Sequence, residues 1–374
     1  MQQVAKVISD KGIFILIELF FILGFTLLSY KYNLYVALGF IPFCFLVCKP
    51  IYKSNLFFTV LLVLLSLIYG YYAGGESAFR VIKTMVVLLP FFFFYILRYE
   101  QFHLSKYFYL FIQINAILVC VDFGLYFLIG HTIMNFTESG FLPRPCGLLE
   151  DSNFFSYLML VCIFYYKSFY GFYNKLFIIS LFLSGSFSAI ISFLILYNVF
   201  ERINVEKECD VKLKLVIIIV TLTIIVGYDW IAINSDSVLN FISELQVNDL
   251  LKVKIASMTH RLATISNAMS EMNTISDFML GIGAGKTRGL SEIGLNLHNS
   301  LLQMFLEMGV ILVGIVILII LIMLQNIKKV KYVILFCTML VLGSMMETFY
   351  NPLLAFVYFI SFSNIYKCNF QNTI

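Results

Sequence analysis

The sequence predicts an all-α, polytopic integral membrane protein of about twelve transmembrane helices, with one long outer loop. Three observations predict it. Of 374 residues, 61% are apolar and 12% charged, against about 45–50% and about 25% in ordinary soluble domains. The mean hydropathy is +0.94. The apolar residues also fall into runs near the roughly 20 residues, or about 17 at the short end, that cross a bilayer. No soluble core takes up so much apolar surface, because chains beyond about 250–300 residues split into domains. Soluble enzymes, nucleic-acid-binding modules and disordered scaffolds are therefore excluded. Forty Phe and 23 Tyr against one Trp suit lipid-facing and interfacial helix surfaces.

Taken in order, the runs place spans at 12–30, 34–49, 55–73, 81–97, 107–130, 153–167, 172–185, 186–200, 213–234, 299–324, 330–346 and 351–367. The first is long enough to span and has no small-residue cleavage site behind it, so it reads as a helix and not as a signal peptide. The pair 172–185 and 186–200 is short, and Ser184-Gly185-Ser186 between them reads as a tight hairpin. The whole chain, 1–374, forms one membrane domain. Residues 235–298 form a partly helical loop between the ninth and tenth spans. Structureless loops of that length are uncommon and usually functional. No repeat relates the two halves, which weakens a secondary-transporter reading.

Charge orients these spans. With both termini inside, sixteen of the 25 Lys and Arg lie in inner segments. Of the other nine, five lie in the long loop, leaving four for the short outer connections. The positive-inside rule counts short loops and favours this arrangement. The eight Cys are scattered. Cys44 and Cys48, one helical turn apart, read as small core residues and not as a metal site.

The outer segments hold the chemistry. Arg144 stands between Pro143 and Pro145, which fix the backbone, and Gly147 permits a turn. Glu150, Asp151 and Ser152 then open a helix. One reading makes Arg144 an exposed anchor that stops the sixth span from sliding. The other makes it a rigidly framed guanidinium for phosphate oxygens at the membrane surface. Met258, Leu262, Ile265, Met269 and Met272 fall on one helical face, with Arg261 at its border. This loop helix is expected to lie on the membrane surface or the other outer loops, and Arg261 fits a snorkelling anchor equally well. Arg80 and Lys83 share a face at the outer end of the fourth span.

His298 stands where the long loop enters the tenth span, and His takes a proton readily near neutral pH. Asn299, Gln303 and Glu307 continue at i, i+4 and i+8. Glu307 lies about two turns inside the span, where a carboxylate is costly and functional by default. Gly281-Ile282-Gly283-Ala284-Gly285-Lys286-Thr287 looks like a phosphate loop but has Leu280 where that motif needs glycine. It reads as a flexible glycine hinge.

Together these residues resemble the O-antigen polymerase and O-antigen ligase family of bacterial envelopes. The resemblance rests on the twelve-span topology, on the long outer loop, and on His298-Asn299 followed by Leu301 and then Glu307-x-Gly309. It extends to Arg261 with Leu280-Gly281-Ile282-Gly283, and to Arg144 with Gly147 and an acidic pair. Ser184-Gly185-Ser186-Phe187-Ser188-Ala189 is similar to the family's small-residue segment, with Phe187 where many members carry Arg. The resemblance implies glycan transfer from an undecaprenyl pyrophosphate carrier to a sugar hydroxyl on the outer face of the inner membrane, without metal or cofactor. It implies His298 as general base, Arg144 and Arg261 on the pyrophosphate with help from Arg80 and Lys83, Asn299 beside the substrate, and Glu307 and Gly309 as helix-shaping residues. Lipid-linked repeat units serve as donor and acceptor, membrane lipid surrounds the site, and a chain-length regulator is an expected partner.

Polymerase is favoured over ligase because 235–297 carries five Lys and Arg against six Asp and Glu. The many phosphates of lipid A-core call for a more cationic surface. A flippase of lipid-linked oligosaccharide is the alternative of another class. It predicts ionisable residues at mid-membrane, whereas here they concentrate at the outer rim, apart from Glu18, Asp122 and Glu307.

Overall fold

A computed structural model describes residues 104–202, 208–219, 264–290 and 300–345 with short gaps, and scattered positions within 12–22, 48–64, 95–97 and 353–365. Arg80, Lys83, Arg261, His298 and Asn299, and the spans expected at 34–49, 55–73 and 81–97, lie outside the described residues or almost entirely so. Helix dominates what is described. Two small antiparallel pairs, which the all-α expectation did not include, tie segments together: β1 (Cys48–Pro50) with β2 (Tyr95–Leu97), and β3 (Phe136–Ser139) with β4 (Leu142–Pro145).

Helix α1 (Lys106–Ile129) has 24 residues, about 36 Å at about 1.5 Å per residue. Among the described residues it is the one helix long and apolar enough to cross a membrane. The Ser105 hydroxyl accepts from the Tyr107 and Phe108 amides at its start, and Gly130, at φ +74°, ends it. One face packs inward through Phe108, Ile112, Ala116 and Val119, while Leu110, Ile117 and Leu128 face outward.

Helix α2 (Ser152–Tyr170) is the buried centre of the bundle. Asp151 caps it, accepting from Asn153 N–H at 2.6 Å, so the helix start read from the sequence is where the chain places it. Around it stand α3 (Lys175–Leu183), α4 (Phe187–Arg202) and α8 (Val330–Met345). Aromatic rings fill the seams: Phe164 stacks on Phe200 at 5.1 Å, and Tyr109 meets Tyr166 edge-on at 4.9 Å.

The hairpin expected at Ser184–Ser186 separates α3 from α4, with Gly185 at φ +64°. However, α3 has only nine residues, about 14 Å, less than half of a hydrocarbon core of about 30 Å. The segment 172–185 is therefore not a full span. Its physical reason lies at its C-terminal end, where buried Ser180, Ser184 and Ser186 turn the chain against α2.

In the long loop, 264–270 is helical, followed by α5 (Ile275–Leu280) and α6 (Lys286–Gly289). Of the expected apolar stripe, Met258 and Leu262 lie outside the described residues, Ile265 is buried with Met272 packed beside its cluster, and Met269 is exposed; Thr264 and Ala268 are buried as well. Helix α7 (Ser300–Asn326) follows and is broken at Gly309.

Candidate functional site

Arg144 lies in β4, paired with Thr137 of β3. The connection from α1 to α2 does not stay at the end of α1. It doubles back along that helix. Asp122 Oδ1 accepts from the Ile133 and Met134 amides at 2.9 and 3.3 Å. Further down, Leu148 N–H donates to Asn115 Oδ1 at 3.0 Å. Gly147, at φ +61°, presses on Asn115, whose side-chain oxygen would stand 3.0 Å from any Cβ there. Asn115 is near the middle of α1, so the segment carrying Arg144 reaches about half-way down the helix. Two polar side chains in an apolar run permit this, because they take the amides that a returning chain would otherwise bury unpaired. The exposed-anchor reading of Arg144 is thereby corrected: it is 6% exposed.

The Arg144 guanidinium sits where three helix ends meet. Its Nη2 donates to Asn153 Oδ1 at 2.7 Å, in the first turn of α2. Its Nε donates to the Ser184 carbonyl at 3.4 Å, at the end of α3. A cation is well placed beside helix C-terminal carbonyls. Its aliphatic stem passes over Gly185, where a Cβ would stand 3.3 Å from Arg144 Cγ. The Ser186 hydroxyl donates to Asn153 Oδ1 at 3.2 Å and Ser186 leads into α4. Ser156 and Ser184 share a 2.5 Å hydrogen bond, and Tyr157 donates to Ser188 at 2.9 Å. The structure thus joins Arg144 to the small-residue segment 184–189. Sequence reasoning missed Asn115, Asn153 and Ser156. The signal was present as isolated amides and hydroxyls inside apolar runs.

A second buried polar cluster surrounds Glu307, which is 2% exposed. Its Oε1 accepts from the Thr287 hydroxyl of α6 and from Gln303 Nε2, the latter at 3.2 Å. Two residues on, α7 breaks at Gly309, with φ +76° and ψ 177°, a region open essentially to glycine alone. In an unbroken helix the Leu306 and Glu307 carbonyls accept from residues four further on. Here they accept from Ile282 N–H at 2.9 Å and Gly283 N–H at 3.1 Å.

Gly281 and Gly309 cross so closely that a Cβ on Gly281 would fall on the backbone of Glu307 and Met308. One on Gly309 would fall on Met279 and Leu280. The flexible-hinge reading of 281–287 is therefore corrected: Gly281 and Gly283 are locked to α7. Phe278 of α5 closes the contact edge-on against Phe305 at 5.6 Å. The predicted pair Glu307 and Gly309 has clear structural work, because both hold the loop that leads to residue 298. The polar stripe Gln303–Glu307 is also formed. Thr274 and Asp277 make a capping box at α5, and the Thr274 hydroxyl and amide hold the Asp277 carboxyl below its ordinary range.

No family model and no curated protein matches this sequence.

Proposed function

We propose that the protein is a multi-pass enzyme of the bacterial inner membrane, with both termini cytoplasmic, that polymerises lipid-linked repeat units of O-antigen or capsule. In this reading the glycan leaves its undecaprenyl pyrophosphate for a sugar hydroxyl of the next unit. His298 takes the hydroxyl proton, and Arg144 and Arg261 hold the pyrophosphate, where charge grows as the glycosidic bond breaks.

The topology draws support from which segments meet. Lys49 and Ile96 pair across β1 and β2; Ser105 N–H bonds Glu18 at 2.9 Å; Lys214 reaches the Gln325 carbonyl at 2.9 Å; Lys167 pairs with Glu201 at 3.5 Å. All of these but the Glu18 contact join two segments that the charge count puts on the inner side or at the inner ends of spans.

One observation carries the functional reading furthest. Arg144 is buried beside the first turns of two helices, α2 and α4, and helix N-termini favour anions. A pyrophosphate at that junction meets a planar guanidinium and positive helix ends together. The docked loop at Glu307 and Gly309 meanwhile fixes the start of α7, immediately after His298.

The depth of Arg144 along α1 also favours the second reading, a flippase, since transporters hold charge at mid-membrane. The lipopolysaccharide ladder of a deletion strain separates the two. A single repeat on core is expected. Bare core with accumulated lipid-linked polymer would indicate the ligase, and repeat units trapped on the inner side would indicate the flippase.

A further inference from the structure

Helix α5 presents an apolar face that the described residues cover only in part. Ile275, Phe278 and Met279 recur at helical spacing on one side; Ile275 is 84% exposed and Phe278 50%. Ser276, Asp277 and Leu280 occupy the opposite side. Exposed apolar residues gathered on one face mark an interaction surface, unlike scattered single ones.

The depth of this face is set by α7, because α5 ends on the broken turn. Gly281 crosses Gly309, Ile282 and Gly283 donate to the Leu306 and Glu307 carbonyls, and Phe278 meets Phe305. The apolar stretch of α7 ends at Gln325 and Asn326. Past the break, residues 310–324 rise about 22 Å at about 1.5 Å per residue, so in the proposed topology the docked turn lies in the outer part of a hydrocarbon core of about 30 Å. Phe278, against Phe305, is at that level. Polar groups close the N-terminal end of α5 in its capping box, and Lys286 of α6 is exposed. An amphipathic helix lying at a bilayer interface buries its apolar face about 5–10 Å into the headgroup and acyl boundary.

We infer that Ile275, Phe278 and Met279 of α5 insert between acyl chains of the outward-facing leaflet and anchor the long loop to the bilayer. The inference rests on the membrane topology proposed above. Its consequence is that the loop carrying residues 261 and 298 is held at two points, by α7 on one side and by lipid on the other. A substrate whose own anchor is a lipid reaches such a loop from within the leaflet.

The test uses the single tryptophan. Trp230→Phe is combined with Phe278→Trp in one variant and with Ile117→Trp in another, each in phosphatidylethanolamine and phosphatidylglycerol vesicles doped with brominated lipid. Ile117 is an outward-facing residue near the middle of α1. Phe278→Trp should be quenched most by bromines near the carbonyl end of the acyl chain, and hardly by aqueous iodide. Ile117→Trp should be quenched most by bromines near the chain end. If Ile117→Trp responds to lipid while Phe278→Trp responds only to iodide, the anchor is wrong and the topology stands. If neither responds to lipid, the topology itself fails. Because Phe278 also touches Phe305, Ile275→Trp serves as a second probe that leaves the docked face intact, with the same expected and contrary outcomes.

Discussion

Two glycines decide whether the long loop can dock. Gly281 and Gly309 each stand where a Cβ meets backbone, and both have φ values near +80°. Gly309→Ala adds about 1–3 kcal/mol of backbone strain to that overlap. It should lower the melting temperature in detergent and open 281–290 to protease, while Gly314→Ala, which has open space, should not. Glu307→Ala leaves the Thr287 hydroxyl and the Gln303 amide without this acceptor, at a cost of about 1–3 kcal/mol. Thr287→Val should cost less, and a double-mutant cycle should show clear coupling between them; additive losses would deny the link.

At the proposed chemistry, His298→Ala should lower turnover by about 10²–10⁴ with protein abundance unchanged. Arg144→Lys should weaken carrier binding by about tenfold or more, since Lys offers no planar fork and a charged hydrogen bond contributes about 1.5–3 kcal/mol. Wild-type turnover in either variant would remove that residue from the mechanism.

At the scale of elements, apolar runs located α1, α2, α4, α7 and α8 closely, because runs that long leave little choice, and Asp151 marked the start of α2. The loops were less legible for a physical reason. A run of apolar residues shows that a segment is buried but not how far a neighbouring loop descends beside it. That Asn115 and Asp122 draw the chain carrying Arg144 back along α1 depends on contacts made 33 and 11 residues away in sequence. The same holds for 281–283, whose glycines read as freedom locally and act as close-packing sites once α7 is present. Helix α5 adds a pH dependence. The Asp277 carboxyl is held below its ordinary range by Thr274. Its capping contribution is therefore complete above the ordinary carboxylate range and is lost as pH falls through the lowered value. Hydrogen exchange at 275–280 should accelerate on acidification, and in Asp277→Ala that acceleration should vanish.

For the whole molecule, the charge asymmetry predicts sides. A Cys placed at Ser235 should label from outside intact cells and one at Glu206 should not; the reverse would overturn the topology. The proposed purpose of the bundle, of the segment that doubles back along α1 and of the docked loop is to bring a cation and a base to a lipid-borne phosphate. Polymer formation in reconstituted vesicles tests that purpose most directly. Purified protein supplied only with undecaprenyl pyrophosphate-linked repeat units, in the presence of a metal chelator, should yield products that lengthen by whole repeats, and His298→Ala should not. Repeat units that cross the bilayer without lengthening would contradict the account.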